Sequence, residues 1–500
     1  MRRVGTALAL AAGAVLAVAN TAAAATTLTQ ISFDPFQNTT AIDGVIVNHA
    51  TEVEPDTFSS GSTIVSAFQV GRFFNGGSDD IGFATSTNGG SSFKHGLLPG
   101  LTFHVDTNSP YERVSDASVA FDAKHNVWMV SSIPLLPNNL VVPTVLISRS
   151  TDGGRTWNDP VSTPAPSGPV DLDKNWTVCD NSSSSPFFGH CYTEVDNFAQ
   201  FDLELLTTST DGGLTWSTPI PTPNHAHGLG GQPLVQPGGT VVVPFESIDG
   251  LGSIASFGST DGGVTLTPSV TISPINFHRV AGNLRTSPLP SAEIDGAGKV
   301  FVAWEDCAFE VGCPANDIIF STSTDGQTWS PIHLVPIDGG KGSGADHFIP
   351  GLAVDKSTPI PSQGIGTHLG LTYYFYPNAN CGTSSTAPCQ LEAGFISSID
   401  GGAHWGGQQT LTPRSMSLSW IASTSQGFMV GDYISTSFSG GVAFPVIADA
   451  SSGTGPDNLN EAMFTTSTGL IATGGSLPAT AQGATAGVAP ISFVVGPTNR

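Results

Sequence analysis

Apolar and polar residues alternate along this chain in short runs with a period of two, and the runs come in threes. The clearest set is Ala117-Ser-Val-Ala-Phe-Asp122, Asn126-Val-Trp-Met-Val-Ser131 and Val145-Leu-Ile-Ser-Arg149. The plan returns in Ala292-Glu-Ile-Asp295, Lys299-Val-Phe-Val-Ala-Trp304 and Asp317-Ile-Ile-Phe-Ser321, and again in Gly351-Leu-Ala-Val-Asp355, His368-Leu-Gly-Leu-Thr-Tyr373 and Ala393-Gly-Phe-Ile-Ser397. Successive side chains of an extended chain point to opposite faces, so each run predicts a strand with one face toward a core. Each triplet therefore predicts three antiparallel strands.

An eight-residue phrase closes most triplets. Ser150-Thr-Asp152-Gly-Gly154-Arg-Thr156-Trp157 recurs at Ser209 to Trp216, Ser259 to Leu266, Ser323 to Trp329 with one Gly missing, and Ser398 to Trp405, with an Asn-bearing copy at Ser86 to Phe93. Asp or Asn followed by paired glycines is turn chemistry: the carboxylate accepts backbone N–H groups, and glycine enters left-handed conformations without a Cβ penalty. The terminal aromatic then re-enters the sheet as a fourth strand. Six units end in this phrase. A seventh, without it, runs through Gly431-Asp-Tyr-Ile-Ser435, Gly441-Val-Ala-Phe-Pro-Val446 and Ala462-Met-Phe-Thr-Thr466. Repeated units predict an array in which each packs on its neighbours, which accommodates 500 residues without one oversized core.

The phrase resembles the Asp box of sialidase-like β-propellers. That resemblance implies an all-β propeller of four-stranded antiparallel blades over residues 26–467, seven blades favoured and six the alternative, with the strand near Thr29 pairing with the last blade to close the ring. It implies ligand binding at the mouth of the central channel, where the innermost strands begin, whereas the boxes lie away from that face.

Arg2 and Arg3, the apolar run Ala7 to Val18 and Ala22-Ala23-Ala24 predict a secretory signal over residues 1–25. The Gly/Ala/Thr-rich stretch 468–500 is expected to be a tail. Export suits the six cysteines, which fall into the close pairs Cys179 with Cys191, Cys307 with Cys313 and Cys381 with Cys389, and predicts three local disulfides rather than a zinc site. Acidic residues outnumber basic ones by 40 to 16, which argues against a nucleic-acid partner. No later segment offers the roughly 20 apolar residues of a membrane span, and a monomer without cofactor is expected.

Register between repeats points to a site. Arg113 stands nine residues before Asp122, Asp171 nine before Asp180, Asp346 nine before Asp355, and Arg285 ten before Asp295. One ring should then carry these four, with Asp116, Lys174, His347 and the pair Asp432-Tyr433 close by. The sialidase resemblance implies roles as well: Arg113, Arg285 and Arg414 holding an anionic sugar, Asp116 as acid, and Tyr433 as nucleophile with Glu246 or Glu293 as its partner. The family's Arg-Ile-Pro phrase is absent. His225-x-His227 and the group Asp171, Asp173 and Asp180 are weaker metal candidates, and no metal is expected. Two functions compete: a secreted glycoside hydrolase acting on a glycan at the channel mouth, and a non-catalytic propeller that binds glycans or proteins.

Overall fold

The computed structural model describes residues 26–358, 366–382, 387–454 and 459–475. The expected signal segment and most of the expected tail lie outside them. The described chain is all-β, its only helical segments being single 3-10 turns, and no helix in it is long and apolar enough to cross a membrane.

The predicted triplets form antiparallel sheets in chain order. The first set comprises Val47–Ser60, Thr63–Phe73, Ser78–Ser86 and Lys94–Leu97; the second comprises Arg113–Asp122, Val127–Leu135, Leu146–Ser150 and Val161–Ser162, tied to the first through Ser78 and Val114. The third set starts with Leu172–Cys179, the fourth with two short strands at Gly228–Leu229 and Leu234–Val235, the fifth with Ser291–Ile294 and the sixth with Asp346–Val354. The seventh, Ser435–Ser439, Val442–Ala450 and Glu461–Thr466, takes its outer strand from the other end of the chain: Leu28–Gln30 pairs with Phe464 to Thr466. The strand expected near Thr29 is therefore in place. Pairing also runs past residue 467, since Leu470 and Ile471 pair with Ala443 and Val442.

First strands of neighbouring sets are stitched together. Val119 N donates to Asp56 Oδ2 at 2.6 Å, Thr177 N to Ser118 Oγ at 3.1 Å, Ala292 N to Gln232 Oε1 at 2.8 Å and Leu352 N to Ser291 Oγ at 2.9 Å. Gly231 of the fourth set lies so close to Glu194 of the third that a Cβ would stand 2.5 Å from its carboxyl carbon. Between sixth and seventh the Thr372 and Thr436 hydroxyls bond at 2.7 Å, and Ser435 Oγ of the seventh donates to Thr57 O of the first at 3.3 Å. Apolar side chains such as Met129, Ile147 and Leu205, or Val242, Val302 and Trp304, fill the layers between adjacent sheets.

Every copy of the repeated phrase joins a third strand to the segment that leads into the fourth, at the end where the first strands finish. At Ser150 the hydroxyl accepts from Gly154 N at 3.0 Å, Asp152 Oδ1 accepts from Arg155 N and Thr156 N at 3.0 and 2.9 Å, and the Thr156 hydroxyl donates to Oδ2 at 2.7 Å. The same bonds recur at Asp211 and Asp261. Gly154 has φ of 75° and a Cβ there would stand 2.8 Å from Val65, so both backbone conformation and space call for glycine. All three cysteine pairs are bonded as expected, each clipping a loop, and such bonds fit an oxidising compartment.

Candidate functional site

The first strands begin at the end opposite the repeated turns, and there four of the seven carry a defect. Ladder pairing skips a residue between Val53 and Asp56, between Ser115 and Ser118, between Asp173 and Trp176, and between Phe348 and Gly351. In every case two residues oppose one, and the first of the two is left-handed: Glu54 (φ 55°), Asp116 (52°), Lys174 (43°) and Ile349 (51°). A bulge bends its strand and re-aims a side chain. Holding a non-glycine residue in this region costs on the order of 1–3 kcal/mol, and such strain persists where the surroundings enforce it.

Three of these four bulges deliver charge to one place. Lys174 Nζ lies 3.1 Å from Asp116 Oδ1 and 3.6 Å from Glu54 Oε1, and donates to Asp432 Oδ2. Arg285 closes on the same carboxylate as a fork, Nε donating to Asp432 Oδ1 at 2.7 Å and a terminal nitrogen to Oδ2. Asp432 N in turn donates to Glu54 Oε1 at 3.0 Å. Gln69 bridges Glu54 to Arg72, whose guanidinium also donates to Gly77 O at 3.0 Å. Above this network a cavity of about 250 Å³ is lined by Arg72, Asp116, Asp171, Asp173, Lys174 and Arg285, with Phe198 and Gln426 at its edge.

Burial and charge pull the titrations apart. Burial works against the ammonium of Lys174, yet Asp116, Asp432 and Glu54 outweigh it and hold its pKa well above the lysine value. Burial likewise opposes ionisation of Asp432, but Arg285 and Lys174 hold its carboxyl far below the carboxylate range. Glu54 goes the other way, pushed up to about 7 by burial despite Lys174, and Asp173 is raised to about 6 by burial and by Asp116. Between about pH 5 and 8 the site therefore gains two negative charges while its cations stay fixed.

The expected ring is brought together only in part. Asp116, Lys174, Asp432 and Arg285 converge, and Asp171 joins them on the cavity wall, where its Oδ1 accepts from Val142 N at 2.9 Å. Arg113 does not. It is fully buried, paired with Asp43 at 2.9 Å and Glu112 at 3.5 Å, and stacked on Phe73 at 4.3 Å, so it ties strand sets together. Asp346 accepts from Asn316 N at 2.8 Å and burial raises it to about 7, while His347 lies 3.1 Å from Asp338 and stacks on Phe375; neither lines the cavity. Arg414 bonds Ala450 O at 2.9 Å at the periphery, and Glu246 accepts from Ser287 Oγ at 2.9 Å outside the cavity lining. Tyr433 stands in the network as packing: its hydroxyl donates to Ala117 O at 3.4 Å, its ring meets Trp176 edge-on and lies under Lys174, and burial pushes the phenol well up. A phenol that is buried, donating and hard to ionise is a poor nucleophile.

His227 pairs with Asp249 at 3.1 Å, and Asp180 caps a turn at the far end of the strand from Asp171. Among the described residues no group of three or more His, Cys, Asp or Glu side chains is placed to hold a metal. The register used for prediction falls three residues short of the one the bulges use. Glu54, Asp116, Lys174 and Ile349 each stand six residues before a strand-end position, Ser60, Asp122, Asp180 and Asp355. That spacing was the available signal for Glu54, whereas Asp173 was singled out only as a weaker metal candidate.

No protein-family model matches the chain, and no curated protein does. Solved structures similar to it include a Dyadobacter fermentans protein of unknown function (18% identity, TM-score 0.45, 71% of this chain and 97% of that one). Others are the phage phi92 endosialidase (10%, 0.46, 95% and 71%) and an α-L-arabinofuranosidase from Fusarium graminearum (11%, 0.41, 70% and 92%). No residue role is transferred from any of them.

Proposed function

We propose that this chain is a secreted seven-bladed β-propeller that hydrolyses a glycan at the strand-start mouth of its channel. The observation that carries this reading is the convergence of charged side chains from equivalent strained bulges, Asp116 and Lys174 foremost, on one cavity with Arg285. Glycoside hydrolysis needs one carboxylic acid to protonate the leaving oxygen and one carboxylate to act as base or nucleophile. Asp173, raised to about 6, is suited to the first role near that pH. Asp116, paired with Lys174, is suited to the second. Arg72 and Arg285 position substrate oxygens, and the fork of Arg285 on Asp432 fixes where its remaining donors point.

The reading is tested by incubating the purified protein with a panel of aryl glycosides that includes an α-sialoside, beside Asp173→Asn and Asp116→Asn. Turnover of one member, lost at least a thousandfold in both variants, is expected. Turnover that survives both substitutions removes the active site from this cavity. One feature favours a second reading, a propeller that binds glycans without cleaving them: Asp432 already engages both Lys174 and Arg285, so the cations arrive neutralised. Saturable glycan binding with no turnover on any glycoside decides for that reading.

A further inference from the structure

The opposite end of the axis is also hollow. A cavity of about 520 Å³ is lined by residues from the first strands of all seven sets, near where the first six finish and with Ser435 at the start of the seventh. A second, of about 600 Å³, opens beside it and shares Thr57, Phe58, Phe121, Asn181, Glu293 and Lys356 with it. Each volume falls in the range of small-molecule sites, roughly 300–1,000 Å³. This mouth shares no lining residue with the charged cavity at the strand starts.

Its chemistry differs as well. Phe58 and Phe121 are only partly covered, both resting on Trp128 at 6.2 and 4.8 Å between centroids, which holds their rings in place. Lys356 Nζ stands 4.6 Å over the Phe58 ring and 3.6 Å from Glu293 Oε2. Lys356 and Glu293 neutralise each other, and the other carboxylates of the lining are engaged by backbone donors: Asp56 by Val119 N at 2.6 Å, Asp295 by Ala297 N at 2.9 Å and Asp355 by Ser357 N at 3.0 Å. Polar capacity is nonetheless left over. Among the described residues no hydrogen bond reaches Glu293 Oε1, and Gln232 accepts from the Ala292 amide through its Oε1 while its NH₂ donates to none. A purely apolar ligand would strand these groups without hydrogen-bond partners.

We propose that the strand-end mouth is a second binding site, for a neutral oligosaccharide, separate from the cavity at the strand starts. Sugars present apolar ring faces and an edge of hydroxyls. The faces stack on Phe58 and Phe121, and the hydroxyls donate to Glu293 and accept from Lys356 and Gln232. Two abutting cavities accommodate more than one sugar ring. The site holds whether or not the strand-start cavity is catalytic, because none of its groups is shared.

The test is isothermal titration of the full chain with maltohexaose, cellohexaose, xylohexaose and mannohexaose, in the Asp173→Asn background so that turnover at the other mouth does not consume the probe. One hexaose is expected to bind, with affinity reduced at least tenfold by Glu293→Gln and by Lys356→Met. Glu293→Gln is isosteric and Lys356 is half exposed, so both variants should keep the parent's thermal midpoint within a few degrees. Phe121→Ala should abolish binding. Binding of a hexaose that Glu293→Gln and Lys356→Met leave unchanged would overturn the assignment. So would failure of all four hexaoses, including the case in which the mouth instead takes a peptide. Loss of turnover in Asp173→Asn with hexaose binding intact separates this site from the proposed active site.

Discussion

The two ends of the strand sets repeat in opposite ways. At the strand ends the residues repeat: Ser, Asp and paired Gly make the same bonds at Asp152, Asp211 and Asp261. At the strand starts only the backbone repeats: the same left-handed bulge carries Glu54, Asp116, Lys174 and Ile349. A turn that must satisfy its own backbone groups has few chemical solutions, so its sequence is copied from unit to unit. A bulge that aims a side chain leaves the side chain free to differ, and that freedom assembles acids and a cation around one cavity. Repeated sequence here marks scaffold, and repeated geometry with varied sequence marks the proposed site.

The sharpest way to break this contrast is Asp432→Ala. Asp432 is buried and neutralises Lys174 and Arg285, so its removal strips Arg285 of its forked partner and leaves Lys174 with Asp116 and Glu54 alone. Turnover or ligand binding should be lost, and stability should fall by about 3–5 kcal/mol, read by denaturant unfolding. A variant that binds ligand like the parent would show the network to be mere filling.

Activity should also follow pH through Asp173. Its protonated form is the proposed acid and its pKa is raised to about 6, so kcat/KM should fall about tenfold per pH unit above that value. An activity flat from pH 5 to 8 assigns the acid elsewhere.

Stability should respond to pH through a different group of carboxylates. Glu194, Asp196 and Glu204 of the third set are buried side by side with no hydrogen-bond partner outside the group, and burial raises all three, Glu204 to about 8. The groups facing them are Asp173, Asp202 and Lys174, of which only Lys174 is a cation. A carboxyl whose folded pKa exceeds its unfolded value of 4.5 keeps its proton when folded and releases it when unfolded. Its contribution is therefore complete below pH 4.5 and is lost as pH rises toward 8. The thermal midpoint should drop by several degrees between pH 5 and 8, and Glu194→Gln with Glu204→Gln should flatten that slope.

The repeated turns predict the smallest effect and the opposite sign. Burial works against ionisation of Asp152, but hydrogen bonds from the Thr156 hydroxyl and amide, the Ser150 hydroxyl and the Arg155 amide together outweigh it and hold the carboxyl at about 2, so its contribution is present above pH 3.8 and is lost as pH falls through 2. Asp152→Ala at neutral pH should cost about 1 kcal/mol in unfolding experiments, discounted for the turn's exposure, and leave activity untouched. A loss of activity there would erase the distinction between the two ends.

Much of the fold was legible. Alternation at Asn126 to Ser131 or Lys299 to Trp304 marked strands because sheet faces impose a period of two, and the phrase at Ser150 marked their turn because its bonds are all local. Local loops also explain why adjacent cysteines pair. The site was legible in part. Asp116, Lys174, Arg285 and Asp432 were expected together and are together, but Arg113 was placed with them by a register that ignored the bulge. One extra residue turns a strand's side chains to the other face, and alternation alone does not say where that residue is inserted.

What the sequence alone determined is thus the set of local, repeated solutions: strand period, turn chemistry, loop disulfides and an acidic chain. Which residues meet at the axis was decided only in three dimensions. Glu54, Lys174 and Asp432 lie hundreds of residues apart at the extremes and come within bonding distance only because the seventh strand set returns to the first. A meeting of that kind depends on how each sheet packs on the next, and no short stretch of sequence encodes it.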